Sequence, residues 1–202
     1  MNDQAIRHWE AHYAHHVVES PTVNPRLAEI VGPLTPGTVL DLGCGSGGDA
    51  LWLAARSWRV TAVDLSDTAV HALRLKAERA GVDVTALRVD LAEEFPAGTF
   101  DLVSAQFLHT PFDLDRAEVL RAAARALVPG GLLAVVDHGS TAPWSWNQDP
   151  DFHYPTPEEV AADLDLGPEW TVERADSPTR EATGPGGQRA TVTDHVLLVR
   201  RS

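Results

Sequence analysis

Asp41 and Asp49 flank a glycine-rich run, Gly43-Cys44-Gly45-Ser46-Gly47-Gly48, and Asp64 follows it. Gly43, Gly45 and Gly48 satisfy the fingerprint of a dinucleotide-binding turn, and Asp64 falls about 20 residues on, where an acidic side chain can accept from ribose hydroxyls. A nicotinamide dinucleotide is therefore one ligand this turn could hold. The flanking carboxylates argue for another. A pyrophosphate seeks the bare amides of a helix N-terminus, and a carboxylate nearby repels it by about 1 to 4 kcal/mol, depending on screening. A ligand with an ammonium group is attracted instead.

Other reactive residue types lie further along. His109 and His138 follow apolar runs, and an imidazole, with a pKa of about 6.5, could take a proton from oxygen, sulfur or nitrogen. Each is also readable, and more readily, as a surface or satisfied loop histidine. Trp144, Trp146, Phe152, His153 and Tyr154 concentrate the aromatics, which suits either a pocket wall or a core plug. Ile6, Trp9, Tyr13 and Val17 form one apolar stripe at helical spacing, with His8, His12, His15 and His16 largely off it. Those histidines have the spacing of a metal pair, but no nearby cysteine completes a set, so a solvated face and no metal are expected. Cys44, the lone cysteine, excludes an intramolecular disulfide and reads as a small turn residue, because no partner is visible that would activate it.

The elements that must position these residues alternate. Thr38 to Leu42 is an apolar run ahead of the glycine turn, and Leu51, Trp52 and Ala55 recur at helical spacing after it. Arg59 to Val63 reads as a second strand. Ser66 is placed to cap the amphipathic stretch Asp67 to Ala80, which closes at Gly81. Val82 to Val89 and Phe100 to Ala105 read as strands, Asp115 to Leu127 as a helix stopped by Pro129-Gly130, and Leu132 to Val136 as a fifth strand. Such alternation predicts a parallel α/β sheet covered on both faces. Pro143 to Pro157 reads as an ordered loop, and Thr156 caps a short helix through Leu164. Trp170 to Arg174 and Ala190 to Arg200, joined by the Gly/Pro-rich Ser177 to Gln188, suit an antiparallel pair at one end of the sheet.

Composition bounds the function. A chain of 202 residues is one domain, and 16 basic against 29 acidic residues gives 16 − 29 = −13, so nucleic acid and anionic membrane are poor partners. The 44% hydrophobic and 22% charged content is that of a folded protein. Met1 to Ser20 is polar, and no apolar run reaches membrane-spanning length, so the expectation is a cytoplasmic protein with neither signal peptide nor membrane span.

Val39-Leu40-Asp41-Leu42-Gly43-Cys44-Gly45-Ser46-Gly47 resembles the first motif of class I S-adenosylmethionine-dependent methyltransferases. Val60 to Ser66 resembles the family's second strand with its acidic end, Val89-Asp90-Leu91 the end of its third, Phe100 to Ala105 its fourth, and Leu127 to Leu133 the turn before its fifth. The N-terminal helix and Cys44 look most like the small tellurite-resistance and thiopurine-type branch. The resemblance implies a single-domain, Rossmann-like, doubly wound sheet of seven strands, mostly parallel with the last antiparallel. Residues 1–30 would form a helical cap and 31–202 the cofactor-binding domain.

On that resemblance S-adenosylmethionine is the cofactor. Glycines at 43, 45 and 47 let the backbone approach the methionyl part, with Cys44 in the same turn. Asp41 would hold its ammonium group, Asp64 the ribose hydroxyls, Leu65 and Leu91 the adenine faces, and Asp90 the adenine amino group. Gln106, just beyond the fourth strand, would face the point where donor and acceptor meet, and Trp9 and Tyr13 would cover the cofactor. His109 and His138 are the candidate catalytic residues. The expected reaction is methyl transfer to a small-molecule oxygen, nitrogen or sulfur nucleophile by in-line displacement, with the oligomeric state unknown. An NAD-linked oxidoreductase is the rival from another class; Asp41 beside the turn and the lack of an obvious Tyr and Lys pair weigh against it. A non-catalytic S-adenosylmethionine-binding protein is the third reading.

Overall fold

A computed structural model describes residues 3–15, 18–145, 147–149, 151–184 and 186–202. His16, Val17 and Trp146 thus lie outside the described residues. After α1 (Asp3–His15) and α2 (Pro25–Val31) the chain alternates strictly: β1 (Thr38–Leu42), α3 (Gly48–Ala54), β2 (Arg59–Asp64), α4 (Asp67–Ala80) and β3 (Val84–Arg88). Then come β4 (Phe100–Gln106), α5 (Arg116–Arg125), β5 (Leu127–His138), α6 (Pro157–Leu164), β6 (Trp170–Asp176), β7 (Thr179–Thr183) and β8 (Arg189–Arg201).

The strands form one sheet in the order β3-β2-β1-β4-β5-β8-β6, with β7 also paired to β8. β1 through β5 are parallel, and β8 is antiparallel to β5, β6 and β7. Because β1 lies between β2 and β4, successive crossovers leave it in opposite directions and open a crevice at the strands' carboxyl ends. The alternation of side chains along each strand feeds two cores. Val39, Leu102, Leu132 and Val136 meet Leu27 and Ile30 of α2, Leu53 of α3 and Leu73 of α4. Leu40, Leu42, Val103 and Leu133 meet Leu120 of α5 and Leu164 of α6 on the other face.

Local signals set the helix ends. The Ser66 hydroxyl accepts from the Ala69 amide at 3.1 Å and opens α4, and Gly81, at φ 65°, closes it. Thr156 and Glu159 form a reciprocal capping box at α6. Among the described residues no helix is long and apolar enough to cross a membrane.

The expected seven strands are eight, and Pro178 is the reason. Asp176 pairs with Val196 and Thr179 with Thr193, so β6 and β7 keep one register along β8. Pro178 has no amide proton to continue the ladder, although its carbonyl still accepts from Asp194 at 3.0 Å. One long strand is thereby broken into two, and β7 lies within Ser177 to Gln188, which the sequence alone presents as a connection. β5 also starts earlier than expected: Phe100 pairs with Leu127 and Leu102 with Leu132, and the residues between bulge from the ladder.

Leu102 is 0% exposed at the centre of the sheet. Leu102→Ala should lower the unfolding free energy by about 2 to 5 kcal/mol in urea titrations; a loss under about 1 kcal/mol would contradict tight packing there.

Candidate active site

The crevice is built from backbone first. Gly43, Gly45 and Gly47 have φ of 71°, 50° and 85°, a left-handed sequence that side chains rarely adopt. It folds the loop back so that the Gly43 and Cys44 amides both donate to Val63 of β2 at 2.9 Å. The Gly45 amide donates to Oδ2 of Asp64 at 2.9 Å, and the Ser66 amide to Oδ1 at 3.0 Å. Asp64 therefore ties the loop after β1 to the start of α4. Burial raises its carboxyl, opposed by these amides.

Helix α1 lies over this loop. A Cβ on Gly45 would stand 2.9 Å from the Tyr13 hydroxyl oxygen. Burial, then the Asp64 carboxylate, push the Tyr13 phenol above its usual range, so it keeps its proton. Trp9 stacks on Tyr13 with ring centres 6.1 Å apart, and its indole donates to the Thr110 hydroxyl at 3.4 Å. On the other side the Glu10 carboxylate accepts from the Asp67 and Thr68 amides and, at 2.6 Å, from the Thr68 hydroxyl. Lys76 donates to the carbonyls of Val18 at 2.6 Å and Ser46 at 3.1 Å. Glu10 and Lys76 were missed by sequence reasoning, since surface helix charges carry no signal of a distant partner.

Between α1, the ends of β2 and β3 and the segment after β4 lies a hollow of about 740 Å³, its open mouth included. Of the residues singled out from the sequence, Trp9, Tyr13, Gly43, Asp64, Leu65, Asp90, Leu91 and His109 line it. Asp90 uses Oδ1 to accept from the Ala92 amide at 3.1 Å, while its buried Oδ2 has no partner.

Asp41, Cys44, Gly45, Gln106 and His138 do not line the hollow. Asp41 is 2% exposed, and its Oδ2 has no hydrogen-bond partner. Burial, then Asp49 and Asp64, raise its carboxyl well above the usual range. Asp49 is pushed up to about 6 by burial, although the Asn24 amide donates to it at 2.6 Å. Cys44 is buried, and burial with Asp64 and Asp41 pushes its thiol up, which fits a packed turn residue. Gln106 is the last residue of β4, not beyond it; its Oε1 accepts from Asn24 Nδ2 at 2.9 Å and its Nε2 donates to Ser104 at 3.1 Å.

The aromatic segment divides. Tyr154 faces His138 at 6.4 Å and Phe152 at 4.9 Å, and His138 stacks on Phe107 at 4.3 Å. Trp144 instead covers Gly184 at the β7–β8 turn, and His153 pairs with Glu159 at 2.9 Å. Desolvation, then His109, hold the His138 imidazole below its usual value.

Residues 39–131 match a family model described as a methyltransferase domain. The chain is 39% identical over 118 residues to a ribosomal protein L11 methyltransferase of Burkholderia mallei, and 38% identical over 110 residues to a ubiquinone biosynthesis O-methyltransferase of Nitrosomonas europaea. Those matches take in 57% and 52% of this chain, but it spans only 37% and 45% of the relatives. A solved structure, described by the conversion of a disulfide bond into a thioacetal group during echinomycin biosynthesis, is similar over 97% of this chain and 91% of that one, with 25% identity and a TM-score of 0.74. Fold and glycine loop agree with these likenesses: residues 39–131 are similar to a methyltransferase domain, and the whole chain is similar in fold to the echinomycin-pathway structure. S-adenosylmethionine is the cofactor that these likenesses point to. The residues present fit it, because the orphaned carboxylate oxygens of Asp41 and Asp90 call for N–H donors, and that molecule carries an ammonium and an adenine amino group.

The raised Asp49 sets a pH signature. An acid whose pKa rises on folding costs stability above about 6 and nothing below its unfolded value of about 3.9. Asp49→Asn should raise the melting temperature of the ligand-free chain at pH 7 by about 2 to 4 °C per kcal/mol relieved. The gain over the unaltered protein should shrink as pH falls from 6 to 4, read by thermal melts; a gain independent of pH would contradict it.

Proposed function

We propose that this protein transfers a methyl group from S-adenosylmethionine to a small-molecule oxygen, nitrogen or sulfur nucleophile. The observation that carries the reading is that one hollow is bounded by Asp64 and the half-satisfied Asp90 at one side and by His109 at another. Asp64 is placed to accept the ribose hydroxyls, Asp90 the adenine amino group, and Leu65 and Leu91 to lie against the adenine faces. Gly43, Cys44 and Gly45 present backbone to the methionyl part, Asp41 takes its ammonium group, and Gln106 stands beside it. Trp9 and Tyr13 close the site; of residues 1–30, α1 is the cover, whereas Leu27 and Ile30 of α2 pack into the core of the binding domain.

When bound, the cofactor supplies a methyl group on a positively charged sulfur. The chain needs only to hold donor and acceptor in line and keep water out, which can lower the barrier by up to about 7 to 11 kcal/mol. His109, in the wall of the hollow, and His138, its ring 6.0 Å away, are the residues we assign to an acceptor's proton. A charge of −13 disfavours a nucleic-acid acceptor. The likenesses to a ubiquinone-pathway enzyme and to the echinomycin structure support a small molecule, whereas the L11 relative acts on a protein.

Calorimetry with S-adenosylhomocysteine tests the site. Asp64→Ala should weaken binding by about 10- to 100-fold, the loss of charge-assisted hydrogen bonds of about 1.5 to 3 kcal/mol; unchanged affinity would remove Asp64 from the site. Radiolabelled transfer to a panel of phenols, thiols and amines then reads the acceptor.

A further inference from the structure

The turn after β4 is built around an ion pair that cofactor binding does not require. His109 Nε2 lies 3.2 Å from Oδ1 of Asp137, and a single Arg116 nitrogen reaches both carboxylate oxygens at 2.7 and 2.6 Å. Asp137 is 3% exposed. Burial would raise its carboxyl, but the His109 hydrogen bond and the Arg116 guanidinium hold it below the usual range. An ionised carboxylate only accepts, so a neutral His109 ring must present Nε2–H to it, leaving the Nδ1 lone pair free.

The backbone serves the same end. Phe107 has φ 53°, a strained conformation for an aromatic residue, and persists there because its amide donates to Val136 of β5 at 2.7 Å. The His109 amide donates to the Phe107 carbonyl at 2.8 Å, and Arg116 Nε to the Leu108 carbonyl at 3.0 Å. Arg116 thus fixes both the turn and the carboxylate. The strained turn also lays the Phe107 ring on His138, which continues through Tyr154 to Phe152, 45% exposed.

We infer that His109 takes the proton of the methyl acceptor, that Asp137 is the positioning residue fixing its tautomer, and that the acceptor is an aromatic hydroxyl or thiol lying against this wall of rings. The inference rests on the methyl-transfer reading. As the X–CH3 bond forms and the donor's S–CH3 bond breaks, the breaking bond's electron pair returns to sulfur. The X–H proton passes to Nδ1 of His109, Asp137 stabilises the imidazolium, and the ring, 38% exposed, releases the proton to water.

Nitrogen-15 spectra of the histidine rings in the full chain, with S-adenosylhomocysteine bound, read the tautomer without needing an acceptor. Neutral His109 should carry its proton on Nε2, and Asp137→Asn should increase the Nδ1–H fraction severalfold. A predominant Nδ1–H form in the unaltered protein, which requires no variant to fold, would overturn the inference, as would an identical tautomer in Asp137→Asn. With phenol and thiophenol as probes at mildly alkaline pH, where the thiol is already ionised, His109→Gln should slow transfer to phenol by about 10²- to 10⁴-fold and to thiophenolate by less than about tenfold. Equal losses on both would overturn the proton role; if neither probe is methylated, the tautomer decides alone. Failure to bind S-adenosylhomocysteine at all would defeat the methyl-transfer reading and leave the tautomer measurable.

Discussion

Carboxylates buried at the carboxyl ends of apolar parallel strands are the constraint from which the rest of the molecule follows. Asp41, Asp64 and Asp137 are 2%, 8% and 3% exposed at the ends of β1, β2 and β5. A buried carboxylate is costly unless it is paired or hydrogen-bonded, and the chain satisfies each to a different degree. Asp137 has Arg116 and His109 and stays ionised. Asp64 has two backbone amides, which fix it while leaving lone pairs for a ligand. Asp41 has an oxygen with nothing opposite, beside Asp49 and Asp64. The gradient from satisfied to unsatisfied separates a carboxylate that holds other residues from those whose missing donors a ligand must bring.

The cover over the site follows a different rule. α2 buries Leu27, Ile30 and Val31 in the core, each contributing about 1.5 to 3 kcal/mol, so it is part of the fold. α1 buries only Ala5 and is held by Glu10 at α4 and Trp9 at Thr110, contacts of about 0.5 to 1.5 kcal/mol each. The helix carrying Trp9 and Tyr13 thus meets the rest of the chain through side chains, His8 against Phe112 among them, above the glycine loop and Asp64. The segment between α1 and α2 is anchored separately, by Lys76 at Val18 and by Asn24 at Asp49 and Gln106.

What the sequence disclosed was local or periodic. The glycine loop, the acidic end of β2, the Ser66 cap and the Thr156 cap each depend on residues within a turn or two of one another, so spacing alone reveals them. The number of strands was misread because Pro178 removes one amide from an otherwise continuous register, a detail hidden inside a Gly/Pro-rich stretch. Arg116 and Asp137 were passed over because they meet only when α5 and β5 pack. A signal for Asp137 was nonetheless present: an aspartate ending the apolar run Leu132 to Val136 has the same form as Asp41 and Asp64. The aromatic segment could not be apportioned from composition, because what separates Tyr154 from Trp144 is which ring lies beside His138 and which covers Gly184.

In the proposed reaction the segment after β4 joins the two halves of the chemistry. Leu108 lies within 2.9 Å of where a Cβ on Gly43 would stand, and Thr110 carries the Trp9 contact, so the chain that walls the cofactor hollow is the same one that bears His109. In-line displacement tolerates little misplacement, and an error of about 1 Å can cost about 100-fold. A proton acceptor on an independent loop would have to be aligned anew at each turnover. Here Arg116, anchored at once to Leu108 and Asp137, fixes the wall and the imidazole to β5 as one body. Strain at Phe107 is the cost of that rigidity, and the parallel ladder between β4 and β5 is what sustains it.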